Sequence, residues 1–273
     1  MRGEFLDVGG ARLYYYAAGA RTAGPPVVLL HGFPTSSHLW TGVASALSER
    51  HRVIVLDLLG FGRSDRPGSH PVTMRAHAER VVALLDLLRV ERVSVVGHDV
   101  GGGIAQILAV RWPTRVSHLT LVNSAAFDCW PVSEVKIARA MLPLTRQLPA
   151  TWLLSALRRD LLRGYVEHER GTHSLDMFLR PFASAEGRDA LMAHLAQLDS
   201  SDTVDAAARL RDVVAPTAIV WGAEDPWHRP AIGERLQRAI PGATLHVVPD
   251  VRHFVPEEAP QQVAGAVSDL MTR

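Results

Sequence analysis

Residues 93–101, VSVVGHDVG, decide the fold, because they carry a strand directly into a helix. The stretch opens with an apolar run of β-branched residues, and the helix-like pattern of residues 101–111 follows it. Asp99 therefore lies at a sharp turn, with Gly97 and Gly101 two residues away on either side. Small residues there let the strand and the helix come close together, and such a turn holds its tip residue in a strained backbone conformation. This arrangement is typical of a catalytic nucleophile.

The familiar form of this turn, G-x-S-x-G, carries serine at its tip, and that motif occurs nowhere in the chain. The stretch Gly60-Phe61-Gly62-Arg63-Ser64 is glycine-rich but has the wrong spacing. Taken alone, Asp99 also fits a helix N-cap, a position that aspartate favours. The turn by itself therefore leaves both interpretations open.

Strands alternate with helices along the first half of the chain. Two short strands with a Gly9-Gly10 hairpin signal open it, and unbroken apolar runs without polar alternation follow. Such runs indicate strands buried on both faces of a parallel sheet. We predict strands over 4–8, 11–17, 27–30, 53–56, 93–96, 118–122, 218–221 and 245–248, and helices over 36–50, 73–90, 101–111 and 257–271. The pattern predicts a doubly wound α/β sheet.

No strand-like apolar run recurs between residues 126 and 208. That stretch is helix-like, rich in Leu and Arg, and broken by several prolines and glycines. We predict a helical cap over 126–208, inserted after the sixth core strand, and a core formed by 1–125 and 209–273.

Composition gives no sign of a nucleic-acid or membrane partner and no possibility of an internal disulfide. The 29 basic and 28 acidic residues balance to a net charge of +1, which gives no reason to expect nucleic acid or an anionic membrane surface. A single cysteine, Cys129, allows no internal disulfide. The first residues lack the apolar stretch of a secretory signal, and no run is long enough to span a membrane. We expect a soluble, cytoplasmic protein, while its oligomeric state is left open.

Two further polar residues follow strands in the second half of the chain. Asp225 stands in Trp221-Gly222-Ala223-Glu224-Asp225-Pro226, directly after a strand, and Glu224 is the nearby alternative. His253 follows the final strand. The chain order Asp99, Asp225, His253 is that of nucleophile, acid and base. Three loop residues at the right strand ends favour a catalytic triad over a helix cap.

The chain resembles the α/β-hydrolase superfamily along nearly its whole length, and within it the aspartate-nucleophile branch. That branch includes epoxide hydrolases, haloalkane and fluoroacetate dehalogenases, and coelenterazine luciferases. Residues 31–37 (HGFPTSS), 97–99 (GHD) and 253–256 (HFVP) carry the resemblance. It implies an eight-stranded, mostly parallel sheet and an oxyanion hole formed by the main-chain N–H groups of Phe33 and Val100. His31 we interpret as a loop brace.

The resemblance implies chemistry through a covalent ester. Asp99 attacks a carbon atom of the substrate, and water activated by His253 then cleaves the ester. No metal ion or organic cofactor is required, and no zinc-type ligand spacing is present. Haloalkane dehalogenases carry a tryptophan after the nucleophile, and many carry asparagine in the HG loop, whereas this chain has Val100 and Phe33. Val100 also replaces the arginine of fluoroacetate dehalogenases. These departures favour an epoxide over a halide.

The predicted cap supplies candidate substrate contacts. Epoxide hydrolases usually draw two tyrosines from the cap, whereas this cap holds one, Tyr165, for which His168, His173 or His194 could serve as a partner. Trp130 and Trp152 could donate indole N–H groups to a halide. For all three aromatic residues the alternative is packing within the cap. The apolar content of the insertion predicts a small hydrophobic substrate.

Three hypotheses on function follow from the sequence. The first is a cofactor-free hydrolase acting through an Asp99 ester, with epoxides ahead of haloalkanes. The second is a non-hydrolytic, oxygenase-like member of the same fold, and the third is a binding protein that has kept the fold. Because a pure binder needs no triad, the first is favoured.

Overall fold

A computed structural model describes residues 3–20, 24–131, 133–145 and 149–272 of the chain. Met1 and Arg2, which belong to the segment inspected for a secretory signal, lie outside these ranges. Residues 132 and 146–148 of the predicted cap and residues 21–23 and 273 of the predicted core lie outside them as well.

The described residues form a single eight-stranded sheet. In chain order the strands are β1 (Gly3–Asp7), β2 (Arg12–Ala18), β3 (Val27–Leu30), β4 (Val53–Leu56), β5 (Val93–His98), β6 (Val116–Val122), β7 (Thr217–Gly222) and β8 (Thr244–Val248). Their order in the sheet is β1-β2-β4-β3-β5-β6-β7-β8. The β1–β2 and β2–β4 pairs are antiparallel and the remaining pairs are parallel. The predicted sheet is confirmed.

Helices cover both faces of the sheet, which is why its central strands consist of apolar residues throughout. Every residue of β3 and β4 is fully buried. The helices are α1 (Thr41–Ser48), α2 (Met74–Leu87), α3 (Val100–Arg111), α4 (Ser133–Ala140), α5 (Leu142–Thr145), α6 (Ala150–Leu161), α7 (His168–Leu179), α8 (Ala185–Gln197), α9 (Ser201–Ala207), α10 (Pro230–Ala239), α11 (Val255–Glu258) and α12 (Pro260–Met271).

The last helix differs from its prediction. A continuous helix was expected over 257–271, but the structure ends α11 at Glu258 and begins α12 at Pro260. Ala259 between them has φ −136° and ψ 51°, outside the helical region. The cause is steric, because a residue before proline is disfavoured in the α conformation. Pro260 itself occupies a first-turn position of α12, where its missing N–H costs nothing.

The sheet order brings five loops together at one edge. Strands β3, β5, β6, β7 and β8 are consecutive and parallel, so their carboxyl ends all point the same way. Helices α4–α9 lie in the chain between β6 and β7, where the helical cap was predicted. The division into core and cap stays a prediction. Within the described ranges, no helix is long and apolar enough to cross a membrane.

A pair of buried histidines connects this helical segment to the core. His194 of α8 packs on Phe61, with ring centroids 4.0 Å apart, and its ring is parallel to that of His77 in α2, 6.1 Å away. Burial lowers the pKa of His194 to about 3 and also lowers that of His77 well below its usual value. Both rings are therefore neutral in the folded protein, and protonating either one disfavours folding.

We expect the protein to lose stability as the pH falls below the pKa of an unfolded histidine. Since the folded-state pKa of His194 is the lower one, its unfavourable contribution grows to about 2 kcal/mol between about pH 7.5 and about pH 5. His194→Asn keeps a side-chain N–H donor but does not titrate. Its melting temperature, measured by calorimetry, should fall several degrees less over this range than that of the wild type. His168→Asn, at an exposed position, is the control, and an unchanged pH dependence in His194→Asn would contradict the assignment.

Candidate active site

Asp99 lies between β5 and α3 in a strained conformation. Its φ of +52° and ψ of −119° are unusual for a residue other than glycine. Asp99 stands at the N-cap position of α3, but its side chain makes no capping hydrogen bond to that helix. The main-chain carbonyl of Asp99 instead accepts from the N–H groups of Gly102, Gly103 and Ala125. These bonds fix the turn and leave the carboxylate free for other contacts.

The glycines around Asp99 allow a close approach that no other residue permits. A Cβ atom on Gly101 would lie 2.2 Å from the carbonyl oxygen of Leu30. A Cβ atom on Gly32 would lie 2.5 Å from Oδ2 of Asp99. Helix α3 and the loop after β3, which contains His31 and Gly32, therefore pack closely against the turn. This packing places the loop next to the Asp99 carboxylate.

One carboxylate oxygen of Asp99 is held by the HG loop. The main-chain N–H of Phe33 donates to Oδ2 of Asp99 at 2.9 Å. His31 braces this loop, as the sequence suggested: its Nδ1 donates to Gly32 O at 2.8 Å, and its Nε2 accepts from the Leu58 N–H at 3.0 Å. The contact from Phe33 fits the predicted oxyanion hole. That the main-chain N–H of Val100 is the second donor of this oxyanion hole stays a prediction.

Asp225 and His253 meet directly. Nδ1 of His253 lies 2.8 Å from Oδ2 of Asp225, and both residues are buried. Burial alone would lower the pKa of His253, but the charge of Asp225 and this hydrogen bond raise it above its usual value. Burial likewise works to raise the pKa of Asp225, but the attraction and hydrogen bond of His253 hold it well below its usual range. Asp225 is therefore a carboxylate that orients the imidazole ring.

Asn123 is part of the same arrangement and was missed by the sequence analysis. It follows β6 with a φ of +38°. Its Nδ2 donates to Oδ2 of Asp225 at 2.5 Å, and its Oδ1 accepts from the Gly222 N–H at 3.0 Å. The available signal was its position directly after a buried strand, the same signal that identified Asp99 and Asp225.

His228 is a second residue that sequence reasoning missed. It is 2% exposed, and its Nε2 lies 3.9 Å from Oδ1 of Asp99, the oxygen that Phe33 does not hold. Its Nδ1 lies 3.0 Å from the carbonyl oxygen of Asn123. The sequence offered only a histidine three residues after Asp225.

Main-chain contacts hold the loop of His253 from two sides. From the core, Nε2 of His98 lies 3.0 Å from the His253 carbonyl oxygen and donates to it. From the helical segment between β6 and β7, the carbonyl oxygen of Gly164 accepts from the His253 N–H at 3.0 Å. The proposed base is thus positioned by both parts of the chain.

A cavity opens in front of Asp99. Its polar lining comes from Asp99, Asp160, His228 and His253. The rest is apolar and includes Phe33, Trp130, Val135, Leu157, Leu161 and Trp227. Helices α4 and α6 supply part of this lining, so the segment between β6 and β7 faces the carboxylate.

Of the three aromatic candidates, only Trp130 lines the cavity. Tyr165 is fully buried elsewhere: its hydroxyl donates to Oε2 of Glu257 at 2.6 Å, and its ring stacks on Phe254 with centroids 4.2 Å apart. Burial raises the pKa of that Glu257 carboxyl to about 7. Trp152 is 68% exposed. The expectation that Tyr165 and Trp152 contact substrate is corrected, because one side chain is taken up by packing and the other points into solvent.

The histidine partners considered for Tyr165 do not reach the cavity either. His168 and His173 are exposed on α7, and His194 packs on Phe61.

Hydrogen bonding accounts for a compact group of possible metal ligands. Asp225, His228 and His253 offer ligand atoms within 4.8 Å of one another. Each oxygen of Asp225 already has two donors: Oδ1 accepts from the main-chain N–H groups of Trp227 and His228, and Oδ2 from Asn123 and His253. The prediction of a site without metal or cofactor stays a prediction.

Comparison with known proteins identifies the family. Residues 25–260 match the family model described as the alpha/beta hydrolase fold. The chain belongs to the α/β-hydrolase family. The predicted superfamily and the prediction of a hydrolase-type enzyme are thereby confirmed.

Similar proteins carry several activities on this fold. The chain is 30% identical over 276 residues to haloalkane dehalogenase 2 of Mycobacterium tuberculosis, covering 97% of this chain and 93% of that one. It is also 30% identical to a cis-3-alkyl-4-alkyloxetan-2-one decarboxylase of Shewanella oneidensis, covering 98% and 88%. An α/β-hydrolase-fold structure from Burkholderia ambifaria matches with a TM-score of 0.87 and 30% identity, covering 98% and 100%.

The contact between Asp225 and His253 predicts a titration that can be measured directly. In Asp225→Asn the burial of His253 remains but the neighbouring charge is gone, so the pKa of His253 should fall from above its usual value to below it. NMR of histidine-labelled protein follows this change. Glu224→Gln is the matched control, because Glu224 is half exposed and pairs with Arg252 at 3.7 Å. A larger shift in the control than in Asp225→Asn would show that the wrong carboxylate had been chosen.

Proposed function

We propose that the protein is a cofactor-free hydrolase that forms a covalent ester on Asp99 and acts on small apolar epoxides. The observation that carries the proposal is the state of the Asp99 carboxylate. Oδ2 is held by the Phe33 N–H, while Oδ1 is free of that contact and faces His228 at the cavity. An aspartate that capped α3 would direct its side chain to the first N–H groups of that helix, and Asp99 makes no such bond.

Ester formation is the first step of the proposed reaction. Oδ1 of Asp99 attacks an epoxide carbon, the carbon–oxygen bond of the ring breaks, and an alkoxide develops on the departing oxygen. The strained turn holds the carboxylate in one orientation, so positioning supplies much of the rate. Oδ2 becomes the carbonyl oxygen of the ester and keeps its contact with the Phe33 N–H.

Ester hydrolysis is the second step, and it uses His253. The imidazole takes a proton from water, and the resulting hydroxide attacks the carboxyl carbon of Asp99. Negative charge then collects on Oδ2, where a main-chain donor such as that of Phe33 contributes about 3 kcal/mol to stabilising the transition state. The imidazolium, stabilised by Asp225, gives its proton to the departing diol oxygen. Asp99 is regenerated with one oxygen atom from water.

The cavity supports a small apolar substrate. Aliphatic and aromatic side chains form most of its wall, as they do in most small-molecule sites. Phe33 and Val100 offer no side-chain N–H to a halide, which favours the epoxide.

Haloalkanes are the second candidate. Trp130 and Trp227 both line the cavity, and indole N–H groups are suitable halide donors. The 30% identity to haloalkane dehalogenase 2 also favours this substrate class. Because both candidates pass through an ester on Asp99, one experiment separates them.

His253→Ala is expected to trap the ester, because the first step needs only Asp99 whereas the second needs the base. The variant is incubated with styrene oxide or with 1-bromobutane and examined by intact-protein mass spectrometry. An epoxide adds its whole mass, whereas the bromide adds its mass less that of HBr. Peptide mapping should locate the adduct on Asp99.

His253→Ala/Asp99→Ala is the control for this trapping experiment and should carry no adduct. An adduct that persists in the control would assign the nucleophile elsewhere. No adduct from either reagent, nor from a wider panel of epoxides and haloalkanes, would contradict the proposal and leave the non-hydrolytic alternative.

The two tryptophans first considered as substrate contacts should differ in their effect on activity. Trp130 lines the cavity and is 5% exposed, whereas Trp152 is 68% exposed. Trp130→Phe should raise KM several-fold because it reshapes the cavity wall. Trp152→Phe should change kcat/KM by less than about 2-fold, as is usual for an exposed position. Steady-state kinetics on the substrate found by trapping measures both, and equal effects would argue against this cavity as the substrate site.

A further inference from the structure

The buried imidazole of His228 lies near Oδ1 of the Asp99 carboxylate, whereas Phe33 donates to Oδ2. His228 stands in the loop after β7, three residues beyond Asp225, and lines the cavity. Its Nε2 lies 3.9 Å from Oδ1 of Asp99, and its ring centroid lies 5.3 Å from that of His253. The proposed ester mechanism uses His253 and gives His228 no task.

The second ring nitrogen fixes the tautomer of His228. Nδ1 lies 3.0 Å from the carbonyl oxygen of Asn123, and because a carbonyl can only accept, Nδ1 carries a hydrogen atom. A proton on Nε2 therefore makes the ring an imidazolium whose N–H points toward the cavity. In that form the Nε2–H group would lie 3.9 Å from Oδ1 of Asp99.

The epoxide reaction needs a proton donor, and His253, the other imidazole of the cavity, already serves as the base of the second step. An alkoxide is a strong base and leaves poorly unless it is protonated as the ring opens. Tyr165, the tyrosine of the predicted cap, is fully buried outside the cavity and donates to Glu257. Of the described side chains that line the cavity, Asp99 and Asp160 are carboxylates and His253 pairs with Asp225.

We propose that His228 is the general acid that delivers a proton to the epoxide oxygen, and this inference rests on the proposed function. Oδ1 of Asp99 forms a bond to carbon, the electrons of the broken carbon–oxygen bond go to oxygen, and that oxygen takes the proton from Nε2. His228 is left neutral and the product is a hydroxyalkyl ester.

The negative charge of Asp99 couples ester formation to the release of the proton from His228. Before the reaction, the Asp99 carboxylate attracts the proton on Nε2. Ester formation removes that negative charge at the moment when the alkoxide appears, so the proton is released when it is needed. Hydrolysis then yields Asp99 as a carboxylic acid, whose proton returns to His228 and restores the starting state.

The alternative is that His228 only braces the loop through its bond to Asn123. His228→Asn separates the two roles, because the asparagine Nδ2 occupies the place of the histidine Nδ1. The variant can keep the bond to the Asn123 carbonyl oxygen but has no group at the position of Nε2.

The test compares two leaving groups in the trapping background. The rate of ester formation is measured by quenched-flow mass spectrometry for His253→Ala and for His253→Ala/His228→Asn, with styrene oxide and with 1-bromobutane. Loss of a general acid should slow the epoxide reaction by about 100-fold. Bromide leaves without a proton, so its rate should change by less than about 3-fold.

A second readout needs no further variant and covers the case in which bromobutane does not react. With His253→Ala, the rate of ester formation from styrene oxide should fall as the pH rises from about 5 to about 9, because a general acid acts only while it carries its proton. The charged groups around His228 in this variant, among the described residues, are Asp99 beside its ring, Asp225, which accepts from its main-chain N–H, and Asp160, which lines the same cavity. A rate that is flat or rises over this range would overturn the proposal.

The remaining outcomes each have one meaning. Equal slowing with both reagents would show that His228 acts through charge or structure rather than as an acid, and no slowing would show that it has no part in ester formation. Both overturn this inference while leaving the ester mechanism intact. If His253→Ala forms no adduct with any reagent, the proposed function itself fails.

Discussion

The carboxylate of Asp225 accepts four N–H donors that come from three separate loops, and the geometry of the site depends on it. One donor is the side chain of Asn123 after β6, two are main-chain groups of its own loop, and one is the ring of His253 after β8. A buried carboxylate without donors would be strongly disfavoured, so the three loops are held in place by the need to satisfy it. The same four bonds stabilise the charged form of Asp225, which orients His253. They also fix the main chain of the loop after β7, from which the His228 side chain extends toward Asp99.

The parts of the site that could be predicted from the sequence are those that local spacing determines. Asp99, Asp225 and His253 each follow a strand in a loop at the carboxyl edge, and adjacent parallel strands bring such loops together. The apolar runs of β3 and β4 predicted the parallel sheet, because a strand that is covered on both faces has no position for a polar residue. The break at Ala259 was missed, although Pro260 directly after it is a signal in the sequence.

The residues that could not be predicted depend on side-chain direction and on contacts between distant segments. Nothing in the order of residues 225–228 shows that the fourth of them turns toward Asp99, 129 positions earlier in the chain. Tyr165 illustrates the opposite error. Its place in the predicted cap suggested a contact with substrate, but the hydrogen bond to Glu257 and the stacking on Phe254 turn it away from the cavity.

Gly164 and Tyr165 also limit how freely the helical segment can be exchanged. The carbonyl oxygen of Gly164 accepts from the main-chain N–H of His253, and that of Tyr165 accepts from Arg252 at 3.1 Å. A chimera that takes the whole segment between β6 and β7 from a relative would replace these two contacts to the loop of the proposed base along with part of the cavity lining. Grafts that retain residues 162–167 and exchange only the flanking helices would keep this support. In evolutionary terms, the pocket can diversify through α4 and α6, while the turn that carries Gly164 must change together with the loop after β8.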